Sequence, residues 1–285
     1  MYISKIRNIL KKYFPVLYKK TYKLRFFIFK KLSSKKIKVN LIEEFFEFLP
    51  GGSGVTDSLN ENIIYNIKNI SNSLISLLID KKKIKNYKDL EFDSKLALRL
   101  RELFKQNGSD KHLHSYEYIY SHIFSNFKIN KLLEIGIGSQ DEKILSNMGN
   151  FGKPGGCLRT FSEILGDDSE IVGLEIDKKV LFDEKNIKTF EFNQLSIDDI
   201  QKFSKDYQNH FDLIIDDGLH SNVSIINSVY LSTKILDKGG ILVIEDLFKE
   251  QLNFLQIAFG LLNEDFNYEI YNMNKAYLII ASKLS

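Results

Sequence analysis

From Ile129 onward the chain switches to short, unbroken apolar runs separated by helical stretches, and this alternation restricts the fold more than any other feature. KLLEIGI (131–137) reads as a buried strand running into Gly136 and Gly138, and IVGLEI (171–176) as a second, with a helical stretch over 158–165 between them. Strands follow near 188–192, at FDLIID (211–216) and at GILVIE (240–245), with helical patterns around 197–203 and 224–236. YEIYNM and AYLIIAS close the chain as a hairpin. Strand runs that are apolar at every position belong to parallel strands covered by helices on both faces. The expectation is an α/β fold: a doubly wound, Rossmann-like, seven-stranded mostly parallel sheet with a C-terminal antiparallel hairpin, preceded by a helical N-terminal region. In such folds ligands sit at the carboxyl ends of the strands.

Upstream of the sheet the composition changes. Residues 1–38 hold 13 Lys+Arg and no acidic residue, whereas residues 39–285 hold 27 basic and 37 acidic side chains, a balance of −10. Ile3, Ile6, Ile9, Leu10, Tyr13 and Phe14 share one helical face with lysines opposite, and Pro15 ends or kinks that helix. This arm reads either as peripheral contact with an anionic membrane surface or as a helix packed on its own domain or a second copy. Phe26 and Phe29 add to the case for a homo-oligomer. PGGSGVTD (50–57) lacks the Lys-Ser/Thr of a phosphate-binding loop and reads as a linker, followed by helices over 59–78 and 94–105. The expected division is 1–38 (basic arm), 39–107 (helical region) and 108–285 (ligand-binding domain).

Mean hydropathy is −0.19 and no run of about 20 apolar residues could span a bilayer. One cysteine, Cys157, rules out a disulfide framework and a cysteine zinc cluster. With no stretch that reads as a secretory signal, a cytoplasmic protein is expected, with membrane association through the arm as the variant. The acidic body argues against a nucleic-acid substrate.

The strand ends carry the chemistry. Gly136 and Gly138 open a dinucleotide-type loop, but Asp141 stands where the third glycine of a Rossmann fingerprint belongs. Glu134 before the glycines can face a cationic amino group, and Glu175 at the next strand end can take ribose hydroxyls. That arrangement suits S-adenosylmethionine (SAM). Asp217, Glu245 and Asp246 end two neighbouring strands and offer three hard oxygen ligands, which suits Mg²⁺. His220, three residues after Asp217, is placed to act as general base on a hydroxyl activated by that metal.

Residues 100–285 resemble class I SAM-dependent methyltransferases, and among them the metal-dependent sugar O-methyltransferases of the macrocin and mycinamicin type. The resemblance rests on LLEIGIGS, GKPGGCLRTF (152–161), VGLEID (172–177), FNQ (192–194), IIDDGLH (214–220) and VIED (243–246), with GSDKHLHSY (108–116) upstream. It implies Mg²⁺ on Asp217, Glu245 and Asp246, with His220 as base. Glu134, Gly136, Gly138 and Glu175 would hold SAM, Gln194 would lie near the adenine, and Asp216 on the cofactor side. Cys157 replaces a serine common in the family at a SAM contact. The implied activity is O-methylation of a sugar hydroxyl, nucleotide-activated or glycan-bound, in a surface-polysaccharide or natural-product pathway. Catechol-like O-methyltransferases share the plan of acids and base, so a different small-molecule acceptor is the first alternative. A SAM-binding scaffold without catalysis is the second.

Overall fold

The computed structural model describes residues 84–149, 152–262, 265–273 and 275–284. The basic arm, the Gly-rich stretch at 50–57 and the helix expected over 59–78 lie outside the described residues. One mixed sheet organises the rest. Its strands are β1 (Ile84–Asn86), β2 (Lys131–Ile135), β3 (Glu170–Glu175), β4 (Asp183–Glu184), β5 (Ile187–Glu191), β6 (Phe211–Asp216), β7 (Leu236–Leu247), β8 (Phe266–Asn272) and β9 (Tyr277–Lys283). Their order across the sheet is β1-β8-β9-β7-β6-β2-β3-β5-β4. The seven expected strands form its body. The additions are β1 and β4, three and two residues long, one at each edge.

The helices are α1 (Ser94–Asn107), α2 (Tyr116–Asn126), α3 (Gly156–Leu165), α4 (Ile197–Asp206), α5 (Asn222–Ile235) and α6 (Lys249–Leu261). Local chemistry fixes several ends. The Asp93 carboxylate accepts from Lys95 N and Leu96 N at the start of α1, and Gly108, at φ 80°, ends it. Ser196 caps α4, whose first turn carries Asp198 and Asp199 against the helix dipole. None of the described helices is long and apolar enough to cross a membrane.

β2 pairs in parallel with β3 on one side and β6 on the other, and β6 with β7. The chain therefore leaves β2 toward β3 and β5, then returns across it to β6 and β7. That reversal is the switch point at which open α/β sheets bind ligands. The register sets Ile135 beside Asp216, and Asp216 beside Ile244. Residues 136, 217 and 245 thus emerge side by side at one edge.

Leu100 and Phe104 of α1 share the buried core with Tyr120 of α2, Phe161 of α3 and Leu132 of β2. Phe104 meets Phe161 edge-on at 5.8 Å between ring centroids, and Tyr120 lies 5.0 Å from Phe161. The boundary expected at 107/108 is therefore not a break in packing, because α1 completes the core of the sheet domain. Phe104→Ala should destabilise the protein by about 3–5 kcal/mol, the usual loss for a buried aromatic, read by urea unfolding. A loss below about 1 kcal/mol would detach α1 from the core.

Candidate active site

The site begins with a close approach of two strand-end loops. Gly136 has φ +88°, and a Cβ there would lie 2.3 Å from the Asp217 carbonyl oxygen. Only glycine fits that position. Gly136 N donates to Leu174 O at 2.8 Å and Asp217 N to Ile135 O at 2.9 Å, which locks the ends of β2, β3 and β6 together. Gly138, at φ +90°, has the Met148 thioether where a Cβ would be. Glu175 braces the same loop: Oε2 accepts from Ile137 N and Gly138 N, and Oε1 from Ile176 N and Asp177 N. Its oxygens thus serve four backbone donors, where the sequence suggested ribose hydroxyls.

Glu134 is buried, and neither of its carboxylate oxygens has a hydrogen-bond partner among the described residues. Burial pushes its pKa up to about 8; Lys111, 3.7 Å away, opposes the rise and Asp217 adds to it. Lys111 lies in the short 3₁₀ turn Asp110–Leu113 and is itself 1% exposed. Its ammonium donates to Asp217 Oδ2 at 2.6 Å and to Glu245 Oε2, and faces the Tyr116 ring. Burial disfavours the charge on Lys111, but the surrounding acidic groups, Asp217 first among them, outweigh it and hold its pKa above the usual range.

Asp217, His220 and Asp246 form the open side of the site, with one potential ligand atom from each lying within 4.8 Å of the others. His220 Nε2 is 3.6 Å from Asp217 Oδ1. Tyr116 OH donates to Asp246 Oδ1 at 2.5 Å. His220 and Asp246 both have left-handed backbones, at φ 53° and 51°. Such strain persists where the surroundings overdetermine it. Here Gln251 Nε2 ties the His220 carbonyl at 2.9 Å to the start of α6.

Glu245, expected beside Asp246 as a third ligand, has both oxygens engaged by side chains in this structure. The β7–β9 pairing is irregular between Ile244 and Leu247, where Asp246 takes its left-handed backbone, and Glu245 turns inward, where Oε2 meets Lys111 and Oε1 accepts from Tyr120 OH. Asp216 is buried and accepts from Gln194 Nε2 at 2.7 Å. Gln194 also donates to Ser228 Oγ and accepts from Leu219 N, bracing the turn that carries Asp217 and His220.

Two adjoining clefts share Gly136, Leu145, Ser146, Gly218 and Leu219 as walls. The larger, about 360 Å³, is lined by Glu134, Cys157, Asp217, His220 and Asp246. The second, about 250 Å³, is lined by Glu175, Phe192 and Gln194. The Cys157 thiol faces Ser109 Oγ at 2.9 Å, and burial raises its pKa. Sequence reasoning missed Lys111, Tyr116 and Tyr120. The GSDKHLHSY segment holds the first two, but its pattern does not say where their side chains reach.

The raised Glu134 pKa makes a signed prediction. Between pH 4.5 and 8 the unfolded chain has released this proton while the folded chain keeps it, so stability falls as pH rises through that window. Glu134→Gln should remove this component and exceed the wild type in stability by more than about 1 kcal/mol at pH 8. Parallel stability–pH curves from urea unfolding would contradict the assignment.

No family model matches the sequence. A curated relative, mycinamicin VI 2''-O-methyltransferase of Micromonospora griseorubida, is 30% identical over 118 residues, covering 41% of this chain and 27% of that protein. Among solved structures, MycE methyltransferase from the mycinamycin biosynthetic pathway in complex with Mg, SAH and mycinamycin VI superposes with TM-score 0.53 at 22% identity. A second MycE structure, with Mg and SAH, gives 0.51 at 24%. Each match covers 65% of this chain and 55% of that one. The chain thus spans about a quarter of the curated relative and about half of the solved chains. In sequence and in fold, it resembles the mycinamicin-type O-methyltransferases.

Proposed function

We propose that this protein is a Mg²⁺-dependent SAM:O-methyltransferase that modifies a sugar hydroxyl, nucleotide-activated or glycan-bound. The observation that carries this reading is the Asp217–His220–Asp246 cluster opening onto the same cleft as Glu134. Two carboxylates in a partly open site are hard oxygen donors that fit Mg²⁺ with positions left for other oxygens, and the imidazole beside them is placed to take a proton. Asp217 and Asp246 would hold the ion. Glu134 is buried, with no hydrogen-bond partner on either oxygen among the described residues, which suits the cationic amino group of SAM and would return the carboxylate to its charged form. Gly136 and Gly138 let the ligand approach the backbone closely, and the second cleft, with Glu175 and Gln194, suits the adenosine end.

When bound, SAM supplies an electrophilic methyl group on a sulfonium, and Mg²⁺ lowers the pKa of a nearby hydroxyl. His220 would take the acceptor's proton as its oxygen bonds to the methyl carbon and the methyl–sulfur bond breaks, with S-adenosylhomocysteine as the leaving group. The strained backbone and the Gln251 hydrogen bond keep the imidazole beside Asp217 rather than free in the loop. Asp110, His114, Asn147 and Lys153 line the remainder of the larger cleft, and these polar groups suit a hydroxyl-rich acceptor.

Transfer of labelled methyl from SAM to a panel of nucleotide sugars and catechols tests the reading. Label is expected in a sugar with Mg²⁺ and none with excess EDTA. Label confined to catechols would replace the acceptor class, and label that survives EDTA would remove the metal. His220→Ala should lower turnover about 10²–10⁴-fold with SAM affinity unchanged; wild-type turnover would exclude His220 as the base.

A further inference from the structure

Leu145 is 92% exposed, more than any other large apolar side chain among the described residues, yet it lines both clefts. The segment that carries it is fixed on each side. Before it, Ser139 Oγ donates to Asp177 Oδ2 at 2.5 Å, and Lys179 Nζ to Asp141 Oδ2 at 2.8 Å. After it, Met148 N donates to Ser139 O at 2.8 Å. The Met148 thioether fills a slot between two glycines: a Cβ on Gly138 would lie 2.7 Å from its sulfur, and one on Gly152 would lie 2.3 Å from its methyl carbon. Between these anchors the chain folds on itself, with Ile144 N donating to Asp141 O at 2.9 Å and Asn147 Nδ2 to Ile144 O at 2.7 Å. Residues 142–147 thus form a short strap held at both ends, with a leucine in water at its middle.

We infer that Leu145 is a cofactor contact: SAM in the second cleft covers its side chain and rests its adenosine end against the strap. This inference rests on the functional reading above. The physical reason is hydrophobic. Apolar surface taken out of water stabilises a complex in proportion to its area, and an adenosine offers the flat face of its base. Ile144, Ile176 and Phe192 line the same cleft, so Leu145 extends an apolar surface that is already there. A strap already fixed in the free protein loses little conformational freedom on binding, which keeps that gain in the affinity. The leucine contributes little to the fold itself, because its side chain is almost wholly outside the core.

The chain contains no tryptophan, so Leu145→Trp places a single indole on the strap. Binding of S-adenosylhomocysteine to the full chain, followed by calorimetry and by this indole, tests the inference without an assay of turnover. Saturating ligand should shift the emission to the blue and lower acrylamide quenching at least about twofold, as expected for a side chain removed from water. Leu145→Ser should bind S-adenosylhomocysteine at least about fivefold more weakly, and Leu145→Met within about twofold of the wild type. The unfolding midpoint of Leu145→Ser in urea should match that of the wild type, since substitutions at exposed positions leave stability nearly unchanged. An indole as accessible with the ligand bound as without it would overturn the inference. So would Leu145→Ser binding within about twofold of the wild type, or a weaker affinity that comes with a lower unfolding midpoint, the mark of a structural leucine. Wild-type protein that binds no S-adenosylhomocysteine would instead remove the functional reading itself, and with it this inference.

Discussion

The buried ion cluster around Lys111 ties the structure together. A lysine from a short turn before the sheet reaches carboxylates at the ends of β6 and β7 and lies beside one at the end of β2. Removing either member of such a buried pair costs about 3–5 kcal/mol, because the remaining charge cannot be hydrated. The turn at 110–113 is therefore tied to the strand ends through Lys111. α1 and α2 flank that turn, and their aromatic side chains close the core beneath it. The cluster thus couples the helices before the sheet to the edge where the clefts open.

Above the cluster, the strand ends divide between bracing and chemistry. Glu175 and Gln194 spend their polar atoms on the loops: Glu175 on the N–H groups around Gly138, Gln194 on the turn after Asp216. Asp217, His220 and Asp246 keep atoms facing the cleft. Left-handed backbone at His220 and Asp246 is the local cost of presenting both side chains at one point, and the hydrogen bonds from Gln251 and Tyr116 offset it. Rigid, pre-oriented groups are what a site needs when its partners are a hydroxyl and a small electrophile.

The body of the sheet was legible because its strands are covered on both faces. KLLEI, EIVGLE and FDLIID read as unbroken apolar runs for that reason. β1 and β4 are too short and exposed to leave a pattern. α2 escaped because its buried positions, among them Tyr116, Glu117, Tyr120 and Ser121, mix polar and apolar types, and Ser115 makes no capping bond to mark its start. In the site, the convergence of Asp217, His220 and Asp246 followed from their places at neighbouring strand ends. The inward turn of Glu245 did not, because which of two adjacent acids faces the cleft depends on what lies behind the sheet, and that is Lys111 and Tyr120. Long-range partners of this kind, 134 and 125 residues away in sequence, leave no local trace.

A crystal structure of the protein soaked with Mn²⁺ and S-adenosylhomocysteine, with the ion located by anomalous scattering, tests the central claim most directly. The account predicts one anomalous peak between Asp217 and Asp246, with the amino end of the ligand against Glu134 and its adenine in the second cleft. A structure that holds the ligand with no ion at these aspartates, or that seats it away from Glu134, would contradict it.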